Sequence, residues 1–173
     1  MNPLNHALVR RALVFLNTRR FTFLTRGRFK AADRNFTTAE AMQLAFCDWM
    51  SHVESLADGS VQDRILDWIG SRWWEQLAFG LEQADRKEWP SMTACFTFEQ
   101  RYILLEGRMK WYDIYEGREL VELPKRPKTM LICDITAVWA DVLDRMEPPH
   151  DPSDQRQADD RAGSAPPGMG RPG

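Results

Sequence analysis

Asp48 and His52 stand four residues apart in a stretch of helical spacing, so on a helix the carboxylate could orient the imidazole as a general base. Cys47 and Ser51 lie beside them as conceivable nucleophiles. Adjacent residues on a helix project about 100° apart, however, so Ser51 does not face His52, and no G-x-S-x-G elbow occurs. The spacing suits an ordinary helix ion pair better than a catalytic dyad.

Other chemistry finds less support. Glu116, Glu119 and Glu122, or Asp63 and Asp67, can be drawn as hydrolase carboxylates or metal ligands, but acids at such positions usually form solvated faces. His6, His52 and His150 are far apart and no cysteine pair has C-x-x-C spacing, so neither a metal nor a cofactor is expected. The nucleotide and zinc-hydrolase signatures G-x-G-x-x-G, G-x-x-x-x-G-K-[ST] and H-E-x-x-H are missing. Cys47, Cys95 and Cys133 are odd in number, widely spaced and set in apolar sequence, which reads as reduced core thiols and a cytoplasmic location.

The positive signal is basic and aromatic. Arg19, Arg20, Phe21, Phe23, Arg26, Arg28, Phe29, Lys30 and Arg34 interleave cations with rings, a pattern that can place charge on phosphates and stack on unpaired bases, or anchor a protein contact. Residues 1–36 carry eight Lys and Arg against one Asp, while the remainder carries fifteen against twenty-four acids. Two outcomes follow from this asymmetry: the basic segment docks on the acidic body, or it offers a surface to a partner. Lys125 and Arg126 add a second, smaller basic loop between Pro124 and Pro127.

The elements that must position these groups are read from periodicity. Pro3 behind Asn2 suits the start of a helix over 3–16. RFTFLTRGRFKA reads as two short strands around Arg26 and Gly27, a basic β-hairpin. Thr37 and Glu40 form a capping box for a helix to about Ala57, ended by Asp58 and Gly59. Residues 60–89, with Ser60 as cap, hold four of the seven tryptophans and a stripe of Val61, Ile65, Ile69, Trp73, Leu77 and Leu81, so this helix is expected to be the organising element, with Gly70 and Ser71 able to divide it. After Pro90 the period changes to two. Strands separated by the repeated Glu-Gly-Arg at 106–108 and 116–118 predict an antiparallel meander, and Asp134 caps a closing helix over Ile135–Met146.

The expected fold is α+β: one domain over 1–147, with a helical N-terminal half, a short basic hairpin, a meander and a closing helix. Residues 148–173 contain six of the ten prolines, four of the ten glycines and no aromatic residue, and are expected to be a disordered tail. No apolar run is long enough to cross a bilayer, and the basic helix face of 3–16 is too narrow for membrane-surface binding, so no membrane partner is expected. The acid-free leading segment also suits an organellar transit peptide, though it lacks serine.

These features point to a small non-enzymatic protein-interaction module, an accessory, regulatory or inhibitory subunit of a larger partner, touching it through Arg19, Arg20, Phe21, Phe23, Arg26, Arg28, Lys30, Lys125 and Arg126. The alternatives are a nucleic-acid binder using the hairpin 19–34, and an enzyme of unrecognised type. The sequence does not indicate the oligomeric state.

Overall fold

Helix α3 (Thr38–His52) is enclosed on nearly every side: eleven of its fifteen residues are buried. Its sequence explains this. Ala39, Ala41 and Ala45 let neighbours approach closely, Met42, Leu44, Phe46 and Met50 fill the space around them, and a helix that is apolar all round belongs in an interior. The computed structural model describes residues 4–32, 34–97, 101–127 and 129–147, and in them six α-helices accompany a five-stranded antiparallel sheet, an α+β fold. Residues 148–173, expected to form a tail, lie outside the described residues.

The organising element is therefore α3 and not the 60–89 stretch, which flanks it as α4 (Gly59–Ile69) and α5 (Ser71–Gln83). Gly70 divides them at φ +82°, a conformation side chains rarely adopt. The break shifts the buried stripe by one residue: Val61, Ile65 and Ile69 are buried before it, and Trp74, Ala78 and Leu81 after it, leaving Trp73 and Leu77 half-buried. Asp58, not Ser60, caps α4, accepting the Ser60 and Val61 amides, and α3 stops at His52 before a 3₁₀ turn at Glu54–Leu56. The capping box of Thr37 and Glu40 is formed in full.

The leading segment departs most from expectation. Helix α1 is short, His6–Ala12, with Asn5 as its cap, while Leu4 bridges to Phe36 as a strand would. Residues 14–16 turn the chain, and the expected hairpin is helical: α2 (Thr18–Phe23) runs into a π-helical turn at Leu24–Arg28. Asn17 starts α2 by accepting the Arg20 amide at 2.8 Å, and the turn ends with Phe29 N–H on Leu24 O at 2.9 Å. Gly27 is not among the positive-φ glycines, so the backbone freedom that suggested a hairpin goes unused. What decides for a helix is Arg20, Leu24 and Arg28, each four residues apart, which meet the body along one face.

The sheet order is β4-β3-β2-β1-β5, from β1 (Thr93–Thr97), β2 (Tyr102–Leu105), β3 (Trp111–Asp113), β4 (Arg118–Leu120) and β5 (Met130–Asp134). Gly107 and Gly117 take the positive φ that the β2–β3 and β3–β4 turns need, as the repeated triplet predicts. Ala94, Phe96, Ile103, Leu105, Tyr112 and Cys133 are buried toward the helices. α6 (Ile135–Met146), capped by Asp134, closes the core against α1, α3 and β1. β4 and β5 point the same way at opposite edges, so the chain between Leu120 and Met130 must return across the sheet.

Candidate functional site

The basic leading segment has two sides. On the inner side, the Arg20 guanidinium grips both oxygens of Asp63 at 2.7 and 3.1 Å, while its Nε donates to Gln62 Oε1 at 3.1 Å. One helical turn further along α4, Asp67 takes Arg28 at 2.7 Å. Two arginines eight apart thus meet two aspartates four apart: α2 and its π turn dock on α4 through a charge ladder. Arg34 pairs with Glu40 at 2.5 and 2.8 Å, which raises the guanidinium's pKa further. Burial alone would push the Glu40 carboxyl up, but this arginine and the Thr37 backbone and hydroxyl outweigh it and hold the acid below the usual carboxylate range.

The outer side holds Arg19, Phe23, Arg26 and Lys30, all exposed, and none of the three cations has an ion pair with a described residue. Phe23 is 54% exposed, with the Arg20 guanidinium carbon 5.2 Å from its ring centre. Phe21 is half-buried against His6 and Phe36, and Phe29 is buried, so these two rings belong to the core. Lys125 and Arg126 are exposed on the return between β4 and β5, where Leu123 and Pro127 are half-buried. No ion pair joins either of them to a described residue.

The catalytic readings find no geometry. No hydrogen bond or ion pair joins Asp48 to His52, so the ion pair expected from their spacing is not formed. The Asp48 carboxylate, 3% exposed, accepts the amides of Val14, Phe15 and Leu16 at 3.2, 2.7 and 2.7 Å. His52 is exposed and lies against Phe15, ring centres 4.4 Å apart, and Ser51 donates to its own helix at Cys47 O. Burial pushes the Cys47 thiol up to about 12 and raises that of Cys133 as well, the opposite of what a thiolate nucleophile needs.

Four of the five acids drawn as pairs are likewise engaged, and Glu122 is exposed. Asp63 and Asp67 hold the ladder; Glu116 bridges Arg101 and Arg118; Glu119 takes the Trp68 indole N–H at 3.1 Å with Lys110 3.5 Å away. Among the described residues no three His, Cys, Asp or Glu side chains gather as a metal-binding set. A cleft of about 670 Å³ between the start of α3 and α5 is lined by Arg28, Glu40, Asp67, Glu75 and Glu82, with the exposed Phe79 also in its wall. Thr38 hydrogen-bonds Glu82 there, and no histidine or cysteine reaches it.

One surface that sequence reasoning missed is the sheet face turned away from the helices. The strand registers align Leu120, Trp111, Leu104, Cys95 and Ile132 in a single apolar row across all five strands. Ile132 is 59% exposed at one end, beside Met130 at 51%. The signal was present in the alternation of each strand, but only the register shows that the apolar positions line up. Among the described residues no helix is long and apolar enough to cross a membrane. Comparison with known proteins returns no matching family model, no matching curated protein and no matching solved structure.

Proposed function

We propose that this chain is a non-enzymatic interaction module that binds an acidic surface of a larger protein, as an accessory, regulatory or inhibitory subunit. One observation carries the reading. The six cations of residues 19–34 divide evenly, Arg20, Arg28 and Arg34 being neutralised on the body while Arg19, Arg26 and Lys30 stay exposed, with no ion pair to a described residue, on the segment that carries the exposed Phe23. The inner three fix the geometry of the outer three, which limits the entropy lost when a partner is bound. An aromatic ring flanked by arginine is the usual anchor of such a contact.

The test uses full-length protein as bait in extract from its native host, beside Arg19→Ala/Phe23→Ala/Arg26→Ala, with the captured species then purified and titrated directly. Its direct affinity should fall at least about tenfold in the triple variant, with circular dichroism unchanged. A purified partner bound equally by both proteins would refute the assignment.

Nucleic acid is the second reading, since the same outward cations suit phosphates. A single-stranded oligonucleotide titrated at rising salt distinguishes it: removal of each arginine should lower the salt slope by about one if phosphates are the target. No binding at low salt removes that reading and leaves the protein partner.

A further inference from the structure

We infer that the cleft between the start of α3 and α5 is a binding site for a linear aliphatic polyamine, a small cation with ammonium ends on an apolar stem. Arg19, Arg26 and Lys30 take no part in its wall, so this assignment and the basic contact surface can fail independently.

One side of α5 and the first turns of α3 make this cleft. Glu75, Ala78, Phe79 and Glu82 recur at helical spacing along α5, and Ala39, Glu40 and Gln43 do so on α3. The charges between them do not cancel. Asp67 holds Arg28 at 2.7 Å, and Arg34 pairs with Glu40, whose side chain also caps the positive start of α3. Glu75 and Glu82 have no ion pair with a described residue, and Glu82 accepts the Thr38 hydroxyl. A second observation points to a donor as the missing group. Gln43 is 6% exposed, and its Nε2 donates to Ala39 O at 3.3 Å, which fixes the amide's orientation because that partner can only accept. Its Oε1 accepts from no described residue and is not sealed in the interior, so it faces the cleft as an open acceptor.

Spacing and lining select the ligand. Glu75 and Glu82 are two turns apart on one side of α5, about 10.5 Å along its axis, which is too far to share one metal ion. The terminal nitrogens of an extended linear triamine lie roughly 11 Å apart, given bonds of about 1.5 Å. One ammonium can therefore meet each carboxylate, with Gln43 Oε1 as a further acceptor. Phe29, Ala39 and Ala78 are buried in the cleft wall and give the methylene stem an apolar surface, with Phe79 exposed beside them. The volume of about 670 Å³ lies within the range of small-molecule sites.

Isothermal titration of the full chain with spermidine at about 20 mM salt tests this. One saturable site should appear, at least about tenfold tighter for spermidine than for butylamine, which has a single charge, or for magnesium chloride, which has no stem. Glu75→Gln and Glu82→Gln, at exposed positions, should each weaken spermidine about fivefold with circular dichroism unchanged. Gln43→Leu should weaken it without altering the charge, and Glu54→Gln, an exposed acid outside the cleft, should leave it unchanged. The proposal is overturned by the absence of saturable binding, by butylamine or magnesium binding as tightly, or by equal losses from Glu54→Gln and the two cleft glutamates. A trilysine peptide that binds more tightly than spermidine also overturns it and reassigns the cleft to a protein ligand.

Discussion

The Asp48 carboxylate accepts the Leu16 amide at 2.7 Å across 32 residues of chain. With the Phe15 and Val14 amides on the same group, one side chain satisfies three consecutive backbone donors and fixes the turn between α1 and α2. Arg145 closes the site from α6, its Nη1 2.5 Å from Ala12 O and 4.0 Å from Asp48. The spacing that suggests a catalytic dyad thus belongs to an anchor for the leading segment.

Asp48→Asn should destabilise the fold by about 1.5–3 kcal/mol, because hydrogen bonds to a charged acceptor are lost and an amide donor is set against amide donors. His52→Ala, at an exposed position touching only the Phe15 ring among aromatic neighbours, should cost under about 1 kcal/mol. Urea unfolding of both variants checks this, and a larger loss from His52→Ala would restore an active role for the pair.

Arg20 and Arg19 are adjacent in sequence and should behave oppositely. Arg20→Ala leaves Asp63 and Gln62 without their partner in a half-buried site and should cost about 1.5–3 kcal/mol. Arg19→Ala should stay within about 0.5 kcal/mol in unfolding and act only on partner binding. Equal effects on stability would show that the two sides of α2 are not distinct.

Acid should weaken the sheet through Asp113. Burial alone would raise this carboxyl, but the Glu116 amide, the Arg101 guanidinium and the Tyr115 amide outweigh it and hold the group below the usual range. A depressed folded-state pKa contributes stability above the unfolded value and loses it as pH falls through the folded one. The gap in urea midpoint between wild type and Asp113→Asn should therefore be widest near pH 7 and narrow below about pH 4. A gap independent of pH would count against the Arg101–Asp113 pair.

Two glycines should respond with opposite sign. At Gly70 a Cβ meets nothing within 4 Å, yet φ +82° and ψ 147° are essentially reserved for glycine, so Gly70→Ala should cost about 1–3 kcal/mol through backbone strain. Gly80, inside α5 with open space at its Cβ, should gain about 0.5–1 kcal/mol on replacement by alanine. Thermal melts of the two variants displaced in opposite directions would bear this out.

Where local chemistry decides conformation, the sequence was legible. The Thr37–Glu40 capping box, the Gly107 and Gly117 turns, the break at Gly70 and the Asp134 cap all depend on residues within a few positions of one another. The leading segment was misread because its conformation is decided elsewhere: Arg20 and Arg28 look like an exposed hairpin face until Asp63 and Asp67 are set against them. Spacing sets Asp48 beside His52, but the three donors that it actually holds lie more than thirty residues upstream. The apolar row on the outer sheet face was unreadable without registers.

The placement of β5 next to β1 also sets an order of events. β1 to β4 follow one another as neighbours and can zip by short turns, but β1 obtains its second neighbour only after the chain has travelled to the far edge and back. During synthesis, α3 likewise waits for α6, so the centre of the molecule stays partly unsheathed until almost the last described residue has emerged. Contacts so distant in sequence form more slowly than those between neighbouring elements.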